Sequence, residues 1–138
     1  MKTTLLFLCG IFVSVNSFAD VLVDVPSIVG KNKSEVSALI GEPGSCENTE
    51  QGEQCAYAQA ELQIAFINNK ADWMTVEGVD HLPFNSIVME NLGLNLGSPS
   101  SSSDYEIRWE NTGGLILVSL YKGKENNSDY VFIKAFSE

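Results

Sequence analysis

The apolar pattern early in the chain predicts a short helix. Val36, Leu39 and Ile40 recur at i, i+3 and i+4, which places them on one face of a helix. Asn32 precedes Glu35 by three residues, which is the spacing of a capping box. Gly41 suits the position that follows a helix. We therefore expect a helix of about two turns that packs on another element, because a helix this short is not stable alone.

Alternation of apolar and polar residues predicts strands after this helix. Residues 62–66 alternate with the period of a half-buried strand, and residues 55–58 also look extended. Asn68 and Asn69 suit a tight hairpin turn, because asparagine tolerates positive φ. Residues 73–76 are the expected return strand. The first half thus predicts a helix, a polar loop and a three-stranded antiparallel meander.

The second half of the chain repeats this order. A second short helix is predicted within residues 83–93, with Gly93 as its stop. Leu-Gly-Ser-Pro at 96–99 echoes Ile-Gly-Glu-Pro at 40–43, and a polar serine loop follows. The expected strands are 105–109, 115–121 and 130–136.

Together these patterns predict an α+β fold. It consists of two tandem units, at about 20–79 and 80–138, each a short helix with three antiparallel strands. A unit of about 55 residues buries too little surface to be stable alone. We therefore expect the two units to share one core within a single domain, residues 20–138.

The first nineteen residues have the pattern of a secretory signal peptide. Lys2 gives a cationic start, residues 5–15 are mostly apolar, and small residues stand at Ser17 and Ala19. The apolar run is shorter than the roughly 20 residues that cross a bilayer. We expect cleavage after Ala19 and a periplasmic or secreted protein without a membrane anchor.

Removal of this segment takes Cys9 with it and leaves Cys46 and Cys55. Two cysteines in an exported chain predict a disulfide, which would stabilise the fold by roughly 2–3 kcal/mol. The alternative is a redox or metal pair. A redox pair usually has C-x-x-C spacing, and zinc would need further Cys or His ligands nearby. We therefore predict no metal and no cofactor.

Charge narrows the class of partner. The chain has 138 residues, 44% hydrophobic, with 8 basic and 18 acidic side chains and a net charge of −10. Binding to phosphate backbones requires clustered cations, which argues against nucleic acid. The composition suits a soluble domain and would favour a cationic partner.

Candidate catalytic groups are sparse. His81 is the single histidine, beside Asp80, and no G-x-S-x-G motif accompanies it. The many carboxylates offer chance pairs, and nothing in their spacing selects two for acid–base chemistry. We predict that the protein is not an enzyme.

Aromatic residues on the predicted strands are the candidate binding residues. They could be core residues and cross-strand pairs. The alternative is that Trp73, Trp109 and Tyr121 lie on an exposed sheet face as interface anchors, since Trp and Tyr dominate binding hot spots. Acidic neighbours would form a rim around them that suits a cationic protein. The candidate rim residues are Asp72, Glu106 and Glu110, with Glu77 nearby.

The repeated order of helix, Leu/Ile-Gly-x-Pro and antiparallel strands resembles the β-lactamase inhibitor protein family and the small outer-membrane assembly lipoproteins of similar fold. Residues 30–43, 62–76 and 96–99 carry the resemblance. It implies an exported protein that binds another protein through its sheet face. The chain departs from the lipoproteins in lacking an acylation site, and from the inhibitor in having one candidate disulfide.

These observations favour an exported inhibitor or immunity-type protein that acts on another protein. The first alternative is a structural or assembly factor of the bacterial envelope. The second is a small envelope enzyme, which would need a pocket that gathers His81 with carboxylates.

Overall fold

The computed structural model describes residues 21–125 and 127–138. The predicted signal peptide and its cleavage site lie outside these residues. The α-helices of the described chain are α1 (Val25–Ile28), α2 (Lys33–Ile40) and α3 (Ile87–Asn91), and a single 3-10 turn lies at Gln59–Glu61. The strands are β1 (Ser45–Thr49), β2 (Gly52–Tyr57), β3 (Leu62–Ile67), β4 (Lys70–Val76), β5 (Ser101–Ser102), β6 (Glu106–Thr112), β7 (Leu115–Tyr121) and β8 (Tyr130–Lys134).

All eight strands form one antiparallel sheet in the order β1-β2-β3-β4-β8-β7-β6-β5. Strands β1 to β4 follow one another as a meander, and β5 to β8 form a second meander. The two meet at the centre of the sheet, where Val76 of β4 lies opposite Val131 of β8. The sheet is therefore continuous from one half of the chain to the other.

The predicted α+β fold with three-stranded units is wrong. The structure is dominated by the eight-stranded sheet, and its helices have only four, eight and five residues. Residues 47–49 and 101–102, expected within polar loops, belong to the outermost strands β1 and β5. Nearly all their residues are exposed, so these strands have no apolar alternation to indicate them.

The cap and stop signals for α2 are confirmed, whereas Leu39, which was expected on the packed face of the helix, is exposed. The side chain of Asn32 accepts a hydrogen bond from the Glu35 N–H at 2.9 Å, and the Glu35 carboxylate accepts one from the Asn32 N–H at 3.2 Å. Gly41 ends the helix with a φ of 91°, and its N–H donates to the Ser37 carbonyl at 2.9 Å. The capping box thus satisfies N–H groups that the first turn leaves unpaired.

One face of the sheet packs against the helices and forms the core. Met74 and Val76 of β4 are buried there, together with Val36 of α2 and Leu92 just after α3. The largest fully buried side chains are Trp109, Ile28, Leu62, Ile64, Met74, Leu92, Leu120 and Ile133. Those that lie on strands come from both meanders, so the two halves of the chain share a single core.

The predicted disulfide is confirmed. Cys46 of β1 lies directly opposite Cys55 of β2, with 4.1 Å between their Cα atoms, and the two sulfurs are bonded. Cys55 is buried on the helix side of the sheet. The bond therefore fastens the outermost strand of the first meander to the rest of the sheet.

Candidate functional site

The face of the sheet opposite the helices is open to solvent, and we call it the open face. Its residues alternate with core residues along the strands: in β4, Trp73 and Thr75 are half-buried while Met74 and Val76 are fully buried. None of the described helices packs on it. In β4 and β6 to β8, its members are Trp73, Thr75, Glu106, Arg108, Glu110, Leu117, Ser119, Tyr121, Tyr130, Phe132 and Lys134.

Strand register brings the aromatic residues of the open face together. Trp73 lies opposite Lys134, whose Nζ is 5.2 Å from the Trp73 ring centroid and 5.9 Å from that of Phe132. Two residues before Phe132 on β8, Tyr130 lies opposite Tyr121 of β7, with ring centroids 5.0 Å apart and ring planes at 26°. The centre of the open face therefore presents aromatic surface with an ammonium group over it, a favourable cation–π arrangement.

A cleft of about 780 Å³ opens where Tyr121 and Tyr130 of the open face meet the loop between β7 and β8. We call it the tyrosine cleft. Tyr121 and Tyr130 line it, and Glu106 lies opposite Tyr121 in the register. Its lining residues are Glu77, Tyr105, Glu106, Tyr121, Lys122, Gly123, Lys124, Asn127, Ser128 and Tyr130.

Two carboxylates anchor the loop that borders this cleft. Asp129 accepts a hydrogen bond from the Gly123 N–H at 2.8 Å, and its own N–H donates to Asp80 at 2.8 Å. The Ser128 side chain, and next the Asp129 N–H, lower the pKa of Asp80 below its ordinary value. Lys122 Nζ lies 3.5 Å from the Asp129 carboxylate. The border of the cleft is therefore held by hydrogen bonds to Asp80 and Asp129.

Tyr121 is the residue of the cleft with a clearly perturbed hydroxyl. Burial raises the pKa of Tyr121 most, and the neighbouring Glu106 carboxylate raises it further. Both effects disfavour the tyrosinate anion. Tyr121 thus contributes a neutral phenol to a partly desolvated wall.

Trp109 does not lie on the open face, so the expectation of an exposed Trp109 is wrong. It is 1% exposed, and its Nε1–H donates to the Gly97 carbonyl at 3.0 Å. Ile107 shares its side of β6, whereas Glu106 and Arg108 project to the other side. Trp109 therefore packs in the core beneath the helices.

Asp72 is also buried, at 2% exposure, rather than part of an exposed acidic rim. Ala65 pairs with Trp73 and Phe66 pairs with Ala71, so a β-bulge leaves Asp72 without a partner in β3. Its carboxylate instead accepts hydrogen bonds from the segment after β8. The donors are Phe136 N–H at 2.8 Å, Ser137 N–H at 3.2 Å and the Ser137 hydroxyl at 2.6 Å.

The other predicted binding residues reach solvent. Trp73, Tyr121 and Glu106 are half-buried on the open face, and Glu110 is exposed at its outer part. Arg108 donates from Nε to the Glu110 carboxylate at 2.8 Å, so this carboxylate already has a cationic neighbour. That these residues bind a partner stays a prediction.

The remaining candidate groups within the described residues are the cysteine pair, as metal ligands, and the single histidine. Cys46, Glu53 and Cys55 lie close together, but the two sulfurs are joined in the disulfide, so they are not thiolate ligands for a metal. His81 is exposed in the loop before α3. No helix in residues 21–125 or 127–138 combines the length and apolar character that a membrane span requires.

Comparisons with protein-family models, with curated proteins and with solved structures found no match for this chain. The resemblance to the β-lactamase inhibitor protein family therefore stays a prediction.

Three residues that define the open face, Tyr130, Phe132 and Lys134, were not among the binding residues predicted from the sequence. Their signal was present, since they alternate with Val131 and Ile133, two β-branched residues that favour the core. Applying the strict two-residue period to residues 130–134 would have placed all three on one face.

Proposed function

We propose that the protein is an exported protein-binding module that inhibits or neutralises another protein, and that it binds this partner with the open face. The observation that carries the proposal is the cluster of partly exposed aromatic rings of Trp73, Phe132, Tyr121 and Tyr130 on a face that the described helices leave uncovered. Large aromatic side chains contribute most to binding hot spots and lose little conformational entropy on binding.

Charge supports a cationic partner. The chain has a net charge of −10, which would steer a basic protein towards it and speed encounter. Glu106 on the open face and Glu77 beside it border the aromatic cluster. A basic partner would place its apolar surface on the rings and its cations on these carboxylates.

The disulfide supports export, because such bonds persist in oxidising compartments. The predicted signal peptide points to the same destination. Inhibition or neutralisation is the role that the resemblance to the β-lactamase inhibitor protein family implies.

Capture from envelope extract tests the proposal, with the protein as bait and two arginine variants, one that alters the open face and one that serves as its control. Thr75→Arg adds a bulky cation at the centre of the open face, where Thr75 lies opposite Phe132. Ala38→Arg adds the same side chain to an exposed position of α2 on the other side of the molecule. We expect a protein that the wild type and Ala38→Arg retain and that Thr75→Arg loses.

The captured protein then decides the role. Its own activity should fall when the bait is added at equimolar concentration, and should not fall with Thr75→Arg. A partner that Thr75→Arg retains equally would contradict binding by the open face. A partner whose activity is unchanged, and which fractionates with outer-membrane complexes, would contradict inhibition and favour the assembly role.

A further inference from the structure

The tyrosine cleft joins two kinds of cation-attracting group in one place. The rings of Tyr121 and Tyr130 are stacked with their centroids 5.0 Å apart, and Glu106 of β6 lies opposite Tyr121 of β7. Glu77 comes directly after β4 and lines the cleft on the Tyr130 side. Tyrosine rings attract cations through their π faces, and carboxylates do so by charge.

Among the described residues, neither Glu77 nor Glu106 takes part in a salt bridge. Lys122, which lines the cleft, directs its ammonium elsewhere: it lies 3.5 Å from the Asp129 carboxylate and 5.4 Å from the centroid of the Phe84 ring. The two glutamates therefore keep their attraction for a cation from outside. Lys124, exposed on the border of the cleft, is the cationic group that would oppose such a ligand.

The aromatic and acidic side chains that line the cleft favour a flat cation. A guanidinium is planar and weakly hydrated, stacks on aromatic faces and bonds carboxylates in a bidentate manner, whereas an ammonium is a compact and strongly hydrated charge. The volume of about 780 Å³ lies within the range that holds a drug-sized ligand, which leaves room for the residues on either side of one arginine.

We infer that the tyrosine cleft receives an arginine side chain from a loop of the protein partner, with the guanidinium against the Tyr121–Tyr130 pair and between the carboxylates of Glu77 and Glu106. This inference rests on the proposed function, because it names the part of the partner that the end of the open face recognises. The net charge of −10 complements a basic loop.

A blocked tetrapeptide with two central arginines is the first probe, compared with the same peptide carrying citrulline in place of arginine. Citrulline keeps the shape and removes the charge. In an NMR titration of the purified protein, we expect the arginine peptide to shift the amide signals of Tyr121, Tyr130 and Glu106. The citrulline peptide should shift them at least fivefold less at equal concentration.

Charge-neutral variants locate the effect. Glu77→Gln and Glu106→Gln should each lower the affinity for the arginine peptide by about two- to fivefold, which is the size expected for a partly exposed ion pair. Lys124→Gln should raise this affinity by a similar factor. Glu47→Gln is the matched control, since Glu47 is an exposed residue of β1 at the far edge of the sheet and should leave the affinity unchanged. Unchanged urea midpoints will verify that the variants are folded.

Equal shifts from the citrulline and arginine peptides would overturn the inference, and so would Glu77→Gln and Glu106→Gln variants that bind as the wild type does. These results are separable from the failure of the proposed function. A partner that Thr75→Arg loses but that Glu77→Gln and Glu106→Gln retain fully would support binding by the open face and refute the arginine site. A cleft that binds the arginine peptide in a protein that captures no partner would support the site and refute the function.

Discussion

Replacing Asp72 by alanine should destabilise the protein by detaching the segment that follows β8. The Asp72 carboxylate accepts three hydrogen bonds there, from two backbone N–H groups and the hydroxyl of Ser137. The same segment is tied to the sheet by a second set of bonds: the Ala135 N–H donates to the Asp72 backbone carbonyl at 3.0 Å, and the Trp73 Nε1–H donates to the Ser137 carbonyl at 2.9 Å. Alanine removes the first set of bonds and leaves the second.

The size of the effect follows from the burial of the carboxylate and the exposure of its donors. A hydrogen bond to a charged group contributes about 1.5–3 kcal/mol when no water can replace it. Ser137 is half-buried and Phe136 is exposed, so water will recover part of this loss. We therefore expect Asp72→Ala to lower the free energy of unfolding by about 2–3 kcal/mol in total. Asp72→Asn keeps one acceptor oxygen and should cost about 1 kcal/mol.

Urea unfolding followed by tryptophan fluorescence measures the loss. The chain has two tryptophans. Trp73 adjoins the altered residue and Trp109 lies in the core, so the combined signal reports both sites. Hydrogen exchange at the amides of Phe136 and Ser137 should also become faster in Asp72→Ala. Asp104→Ala, a substitution at an exposed loop position, is the matched control and should change stability by no more than about 0.5 kcal/mol.

The reasoning would be refuted if Asp72→Ala were as stable as Asp104→Ala. It would also be refuted if Asp72→Asn destabilised the protein more than Asp72→Ala, because the asparagine retains an acceptor and the alanine does not.

Three further predictions concern other parts of the molecule. Asn32→Ala should lower the free energy of unfolding, measured in urea, by about 1 kcal/mol, because it removes the acceptor for the Glu35 N–H. Ser34→Ala, at an exposed position of the same helix, should lower it less, and equal losses would contradict a stabilising role for the Asn32 cap. Reduction of the Cys46–Cys55 bond should lower the free energy of unfolding by roughly 2–3 kcal/mol and should speed hydrogen exchange in β1 before it does so in other strands. An equal increase in exchange across the whole sheet would contradict the idea that the disulfide holds β1 against β2. Because the pKa of Tyr121 is raised, the protonated tyrosine stabilises the fold below its ordinary pKa of 10.0, and this stabilisation is lost as the pH rises through the raised pKa. Urea unfolding at alkaline pH should therefore show a decline in stability that is smaller in Tyr121→Phe, and identical pH profiles for the two proteins would refute this prediction.

Local signals in the sequence predicted the elements that depend on neighbouring residues. The capping box at Asn32 and the stop at Gly41 are contained within one short segment, and the structure has both. The alternation in residues 62–66 and 73–76 likewise predicted β3 and β4. The disulfide between Cys46 and Cys55 could be predicted because these are the two cysteines that remain once the predicted signal peptide is removed from an exported chain.

The edge strands depended on longer-range pairing. Residues 45–49 and 101–102 are polar, and they become strands only because β2 and β6 offer them a free side of the sheet. A strand that faces solvent on both sides has no two-residue apolar period. The sequence therefore carried too little information to count four strands in each half.

Two candidate binding residues were misplaced for different reasons. The alternation of Glu106, Arg108 and Glu110 with Ile107 and Trp109 already indicates that Trp109 faces the core, so a stricter use of the period would have corrected it. Asp72 instead depends on a β-bulge, which forms between two strands and is stabilised by the distant segment at 136–137. A period measured along one strand does not reveal such an interruption.

The borders of the sheet bear on how copies of the protein behave when concentrated. β5 has two residues and covers only part of β6, while β1 is polar, exposed and covalently fastened to its neighbour. Long, flat, apolar borders invite strands from other molecules to add on, whereas short and polar ones discourage it. Crowding of the molecules should consequently favour a dispersed solution over fibrillar aggregates, even though the chain is built mainly from strands.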